Sequence, residues 1–307
     1  MPRIAILDLG TNTFNLLIAE KDERGEPVFI YSKELPVEIG KGGIHRKEIT
    51  PEAMQRAIRA LHRHRQTMSE YNVDEYYAFG TSAVRDAANG KEFIRRMRIE
   101  TGVEIKILSG DEEAEWIYEG VKHASVLGKK PSLIMDIGGG STEFIIADEK
   151  TMFWKKSYPL GVSRLYEIFY PADPLAPKKV EVEKHISDML KDMFKAAKRY
   201  KPVELIGSSG SFDSFAEMII HRTSSGEKAV NGYEYPLDEF RKLYDELMVS
   251  TVEERLQMPG LMQMRAPMFA YSAVLIDITL KKLSLKKMKL SHYAMKEGIA
   301  RHLLSKL

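Results

Sequence analysis

With 307 residues, 44% hydrophobic and 29% charged, the chain has the makeup of a soluble globular protein of one large or two ordinary domains. A formal net charge of only +2 supplies no global field for nucleic acid or a membrane, and neither is expected as a partner. There is no cysteine, which excludes disulfides, thiolate metal sites and cysteine catalysis and fits a reducing compartment.

The first apolar run, Ile4-Ala-Ile-Leu7, starts so early that no signal peptide is expected. It enters Asp8-Leu-Gly-Thr-Asn-Thr-Phe14 and resumes as Leu16-Leu17-Ile18, the pattern of strand, tight turn, strand. A basic stretch, Gly40-Lys41-Gly-Gly-Ile-His45-Arg46-Lys47, reads as a guide for an anionic chain or as a solvated connection. Thr50-Pro51-Glu52 sets a capping hydroxyl, a first-turn proline and an acid, and Met54, Ala57, Ile58, Leu61 and Met68 then share a helix face. His62 and His64 on that helix point to different faces and cannot share a metal. Tyr76 to Phe79 is a strand running into Gly80-Thr-Ser-Ala-Val-Arg85, and Val103, Ile105 and Ile107 alternate as another. Ser109-Gly-Asp-Glu112 is a capping box opening a helix that turns Ala114, Ile117 and Val121 inward.

Val121 to Pro131 is turn-rich at its end and marks the expected boundary, with domains over residues 1–125 and 126–307. A second apolar run, Leu133-Ile-Met135, then meets Asp136-Ile-Gly-Gly-Gly-Ser-Thr-Glu143 and resumes as Phe144-Ile-Ile146. Val182, Ile186, Met189, Leu190, Met193, Phe194 and Ala197 predict one long amphipathic helix. Val203 to Ile206 is a strand, followed by a third turn, Gly207-Ser-Ser-Gly210-Ser211. Ala266 to Leu280 carries Asp277 and is too short to span a bilayer, so it reads as a buried helix. The basic cluster from Lys281 to Lys289 reads as a solvated face. Strands and helices alternate throughout, which predicts an α/β fold with helices covering mixed sheets.

The two glycine turns are near-duplicates, one in each half. A missing Cβ lets backbone N–H groups close on an anion. Hydroxyls of Thr11, Thr13, Ser141 and Thr142 add donors, and Asp8, Asp136 and Glu143 can hold a divalent cation. Facing each other, two such turns would clamp a phosphate chain between domains that rotate about the segment from Val121 to Pro131. No Gly-x-x-x-x-Gly-Lys-[Ser/Thr] occurs, which excludes a P-loop enzyme.

Taken in order, Ala5-Ile-Leu-Asp8-Leu-Gly-Thr-Asn12-Thr-Phe, Gly80-Thr-Ser-Ala-Val-Arg85, Ser109-Gly-Asp-Glu112-Glu113-Ala and Asp136-Ile-Gly-Gly-Gly-Ser-Thr-Glu143 resemble the exopolyphosphatase / guanosine pentaphosphate phosphohydrolase family of the actin-like superfamily. Leu160-Gly161-Val-Ser-Arg164-Leu, Gly207-Ser-Ser-Gly210-Ser and Leu290-Ser-His-Tyr-Ala-Met-Lys-Glu297-Gly298 extend the resemblance across the chain. It implies two actin-like (ribonuclease H-like) domains with an interdomain cleft, Mg²⁺, a cytoplasmic location and Glu113 as the general base. It also implies phosphate contacts from Thr11, Asn12, Thr13, Arg85, Gly138, Gly139, Gly140, Ser141, Ser209 and Gly210, with Asp136, Glu143 and Asp8 on the metal. Two departures stand out: Arg265-Ala266-Pro267 replaces a common Arg-Ala-Asp, and no His-Asp dipeptide of the longer members' extra domain occurs. The expected substrate is inorganic polyphosphate; the 5′-triphosphate of guanosine pentaphosphate presents the same anhydride, and a homodimer is allowed. A nucleotide-binding switch or kinase, or a non-catalytic polyphosphate- or alarmone-binding protein, are the rival classes.

Overall fold

A computed structural model describes residues 2–170, 172–223 and 228–306. The chain forms two compact units, Met1–Gly120 with Met295–Leu307, and Val121–Ala294. In chain order the first contains β1 (Ile4–Leu9), β2 (Thr13–Lys21), β3 (Pro27–Pro36), α1 (Pro51–Glu70), β4 (Glu75–Gly80), α2 (Ser82–Asp86), α3 (Gly90–Thr101), β5 (Ile105–Ile107) and the start of α4 (Gly110–His123). The second contains β6 (Ser132–Ile137), β7 (Thr142–Ala147), β8 (Met152–Tyr158), α5 (Val162–Phe169), α6 (Lys179–Met189), α7 (Lys191–Tyr200), β9 (Leu205–Ser208), α8 (Gly210–Thr223), α9 (Leu237–Val249), α10 (Val252–Arg255), α11 (Phe269–Leu283) and β10 (Met288–Ser291). The chain then returns to the first unit as α12 (Met295–Leu304), which packs on β1 and β2.

Each unit is built on a five-stranded mixed sheet, ordered β3-β2-β1-β4-β5 in one and β10-β9-β6-β7-β8 in the other. The two orders are the same topology read in opposite directions. A pair of antiparallel hairpins, β1-β2-β3 or β6-β7-β8, is extended by parallel strands, β4-β5 or β9-β10. The duplication reaches single residues: Leu9 pairs with Phe14 around the first turn as Ile137 pairs with Thr142 around the second. Both second strands slip register at an Ile-Ala step, Ile18/Ala19 and Ile146/Ala147. Buried on both faces, β1, β6 and β7 are near-continuous runs of Ile, Leu, Met and Ala.

Local chemistry sets the helices. Thr50 caps α1 by accepting from the Ala53 N–H at 3.2 Å, with Pro51 opening the helix. Its apolar face joins β1, β2 and α3 in the first core, and His64 is buried with Nε2 3.1 Å from the Phe14 carbonyl. Desolvation outweighs that bond and lowers the His64 pKa, which keeps the ring neutral and structural. The predicted long helix is instead two, α6 and α7, because the backbone breaks at Leu190 (φ −91°, ψ 11°). The apolar stripe survives the break, since Ile186, Leu190, Met193 and Ala197 all stay in the second core. The buried helix over Ala266–Leu280 is α11, starting three residues later.

The second core also holds a buried guanidinium. Arg255, 2% exposed, donates to the carbonyls of Ser250 (2.6 Å) and Ala266 (2.8 Å) and pairs with Asp173 at 2.9 Å. A charge so buried is tolerated because its donors find acceptors. The division at Gly120 differs from the expected 1–125 and 126–307 split mainly through α12. A Cβ on Gly298 would lie 2.2 Å from the Trp116 carbonyl, so glycine there lets α12 lie flush on α4.

Candidate active site

The first glycine turn is closed by the Gly10 N–H donating to the Thr13 carbonyl at 3.0 Å. Its outward carbonyls are used from behind. Asn12 accepts from the N–H groups of Val37 (2.9 Å) and Glu38 (2.8 Å), and Thr11 from that of Gly40 (3.2 Å). Val37, Glu38 and Gly40 thus brace the turn through their backbone, while Lys41, His45, Arg46 and Lys47 are exposed. Lys41 turns to Glu38 at 3.0 Å. Asp8, half-buried on β1, faces Asn15 on β2, whose amide donates to it at 3.4 Å.

The second turn repeats the closure, Gly138 N–H to Ser141 carbonyl at 3.0 Å. The start of α5 takes up its carbonyls: Val162 N–H donates to Gly138 (3.0 Å), Ser163 N–H to Gly139 (2.9 Å) and Arg164 Nε to Gly140 (2.7 Å). Among the described residues, the N–H groups of Gly139, Gly140 and Ser141 have no backbone acceptor. With its carbonyls drawn to one side, the turn offers donors, the polarity an anion requires. A Cβ on Gly161 would sit 2.2 Å from the Gly139 carbonyl, which explains the glycine of Leu160-Gly161-Val. Gly161→Ala should displace the turn and lower kcat/KM for the phosphoanhydride hydrolysis expected from the sequence by ~10²-fold with the circular-dichroism spectrum retained. An active, normally folded variant would show that the turn is not used.

Asp136 and Glu143 stand directly opposite each other on β6 and β7, 6% and 3% exposed. Hydroxyls hold both. Ser208 and Ser209 donate to the two oxygens of Asp136 at 2.7 and 2.6 Å, and Ser157 donates to Glu143 Oε1 at 2.6 Å. Such short O–H···O⁻ bonds are charge-assisted. Like charges directly opposite in a sheet repel. A divalent cation would offset that repulsion, so the pair fits one. Among the described residues no group of three or more His, Cys, Asp or Glu side chains converges as a metal cage. Two carboxylates are nonetheless the usual protein share of a Mg²⁺ site whose remaining ligands are water and substrate phosphate.

Ser209 gives its hydroxyl to Asp136 from a left-handed backbone (φ 70°). That conformation is costly for a residue with a Cβ and is held here by the bond it permits. Gly210 opens α8, and its carbonyl accepts from Arg265 at 2.7 Å, an arginine that also reaches Ser214 at 2.9 Å. Close by in sequence, Asp213 faces His292 Nδ1 at 2.8 Å while the Ala229 carbonyl faces Nε2 at 2.9 Å. Both ring nitrogens thus meet acceptors. The Asp213 hydrogen bond, aided by the Ala229 carbonyl, raises the His292 pKa above 6.5 against the opposing effect of burial. The stability this contributes is full below pH 6.5 and is lost as pH rises through the higher folded value. The melting temperature of the wild type should therefore fall over that range relative to His292→Gln; parallel curves would rule the contribution out.

In the first unit, α4 begins with the predicted capping box. Ser109 Oγ accepts from the Glu112 N–H at 3.2 Å, and Glu112 Oε2 accepts from the Ser109 N–H at 2.8 Å. These bonds, the backbone one foremost, hold the Glu112 carboxyl below its usual range. Glu113, one residue on, turns inward to 5% exposure and forms an ion pair with Arg85 at the end of α2. Arg85 also donates to the Leu108 carbonyl at 3.0 Å and lies 3.4 Å from Asp86. Glu92 is engaged by Arg95 instead. Neighbouring glutamates thus divide the work, one capping the helix and one buried against a guanidinium.

Two units, each a mixed five-stranded sheet with the same order and the same acid-glycine turn, define a pair of actin-like domains. The chain belongs to the Ppx/GppA phosphatase family, which it matches over residues 17–307. It is 26% identical to exopolyphosphatase 1 of Mycobacterium leprae, over 97% of this chain and 88% of that protein. The crystal structure of an exopolyphosphatase from Cytophaga hutchinsonii is similar with a TM-score of 0.94 and 37% identity, covering 99% of this chain and 98% of that one. An Aquifex aeolicus family member shares the fold at a TM-score of 0.79 and 22% identity, over 99% of this chain and 97% of that one.

Proposed function

We propose that this phosphatase is an exopolyphosphatase, releasing the terminal phosphate of inorganic polyphosphate with Mg²⁺ in the cytoplasm. The observation that carries the reading is the second turn. One end of one hairpin offers backbone donors for an anion and two opposed, buried carboxylates for a cation, which together suit a metal-bound phosphate. The names of the Mycobacterium and Cytophaga proteins support polyphosphate as the substrate.

In this reading the N–H groups of Gly139, Gly140 and Ser141 bind phosphoryl oxygens, and Thr11, Asn12 and Thr13 hold further phosphates of the chain. Arg85 binds phosphate oxygens through its planar guanidinium, which a lysine cannot imitate. Glu113 orients the attacking water and accepts its proton. Asp136 and Glu143 hold Mg²⁺, which when bound neutralises charge on the transferring group. Asp8 has an amide rather than an acid opposite it, so it is assigned a supporting place. Phosphate release from polyphosphate, guanosine pentaphosphate and ATP, measured side by side, tests the substrate. Preference for polyphosphate is expected. Preference for guanosine pentaphosphate would reassign the substrate within the family, and release from none would favour a binding protein.

A further inference from the structure

The acids of the second sheet lie in a transverse row that crosses all five strands. Register pairs Ser157 on β8 with Glu143 on β7, Glu143 with Asp136 on β6, Asp136 with Ser208 on β9, and Ser208 with Ser291 on β10. Ser291 spends its hydroxyl on the Tyr293 carbonyl at 2.7 Å, so the row's working span runs from Ser157 to Ser208. The corresponding row of the first sheet reads Glu34, Asn15, Asp8, Phe79 and Lys106. There an acid stands in place of Ser157 and a phenyl ring in place of Ser208. The duplicated folds therefore share the turn but not the hydroxyls flanking the acids. That difference separates a role in the fold from a role in the site, because the first sheet forms without them.

We propose that Ser157 is a positioning residue that presents Glu143 to the divalent cation. It rests on the reading of Asp136 and Glu143 as metal ligands. Its hydroxyl donates to Oε1 at 2.6 Å, which restrains the carboxylate's rotation and favours its meeting a cation through one oxygen. One-oxygen coordination suits the small, octahedral Mg²⁺ better than Ca²⁺, which accepts two-oxygen carboxylates readily. On the other side of the row Ser208 and Ser209 donate to one oxygen each of Asp136, so hydroxyls flank both acids. Partners of this kind commonly set metal affinity by 10- to 100-fold.

The experiment uses Mn²⁺ as the probe, without polyphosphate, and follows free Mn²⁺ by electron paramagnetic resonance. Wild type, Ser157→Ala, Ser157→Thr and Glu143→Gln are titrated, with Ca²⁺ competition and metal-free melting curves for each. Ser157→Ala should bind Mn²⁺ about 10- to 100-fold more weakly and lose preference over Ca²⁺, and Ser157→Thr, which keeps the hydroxyl, should recover both. If Ser157→Ala binds Mn²⁺ like the wild type while Glu143→Gln does not, the positioning role is overturned and the metal site stands. A lower melting temperature with unchanged affinity also overturns it, because the hydroxyl would then serve only the fold. Failure of the wild type to bind Mn²⁺ removes both readings together.

Discussion

Glu113→Gln should reduce kcat for polyphosphate hydrolysis by ~10²-fold or more with KM little changed, because a general base acts on the water in the transition state and not on the bound chain. The substitution is nearly isosteric. It keeps an oxygen that can accept from Arg85, so the partner is not left buried without an acceptor. The helix cap is untouched, since that duty falls to Glu112. Glu112→Gln serves as the matched control: it stays in the capping box at the surface and should leave kcat within a few-fold. Equal loss at both positions would point to a damaged helix, and full activity of Glu113→Gln would move the base elsewhere. Arg85 complicates only one outcome. If the amide loosens the arginine, KM rises as well, and Arg85→Lys measured alongside separates that effect from loss of the base.

What was legible in the sequence was legible because it is local. The capping box, the proline start of α1 and the two glycine turns are each set within a few residues, and all appear where their chemistry predicts. The α/β class followed from the alternation of strands and helices, and the actin-like fold from the family resemblance of the motifs. Pairings between distant segments were not legible. β8 carries Lys155, Lys156 and Tyr158 on an edge strand with no clean alternation, so neither the strand nor its register against Glu143 could be read, and Ser157 went unnamed. Ser208 lay inside a segment read as a turn, although it closes β9 and pairs with Asp136. The break at Leu190 was invisible because the apolar stripe continues through it. The return of α12 has its one signal in Gly298, whose missing Cβ becomes meaningful only once α4 is known to lie against it. Strand register and helix docking depend on partners far away in the chain, whereas caps and turns do not.

The opposed acids lead to the other large effect. Asp136 and Glu143 are buried and stand directly opposite each other, and like charges so placed repel. Glu143→Gln keeps an acceptor for Ser157 while removing one charge. Without metal it should therefore melt no lower than the wild type, and higher if repulsion dominates. Its activity should nevertheless fall at least ~10²-fold, beyond the loss that follows from disturbing a supporting hydrogen bond. Mg²⁺ should raise the wild-type melting temperature, because a ligand that binds only the folded state stabilises it by mass action. The variant should lose that rise, and EDTA should abolish wild-type activity until Mg²⁺ is returned. Stability gained where activity is lost is the mark of a site held together against its own repulsion for the sake of a ligand. Equal Mg²⁺ stabilisation of the wild type and Glu143→Gln, or an enzyme indifferent to EDTA, would sink the metal assignment and leave the hydroxyl-bound acids as part of the fold alone.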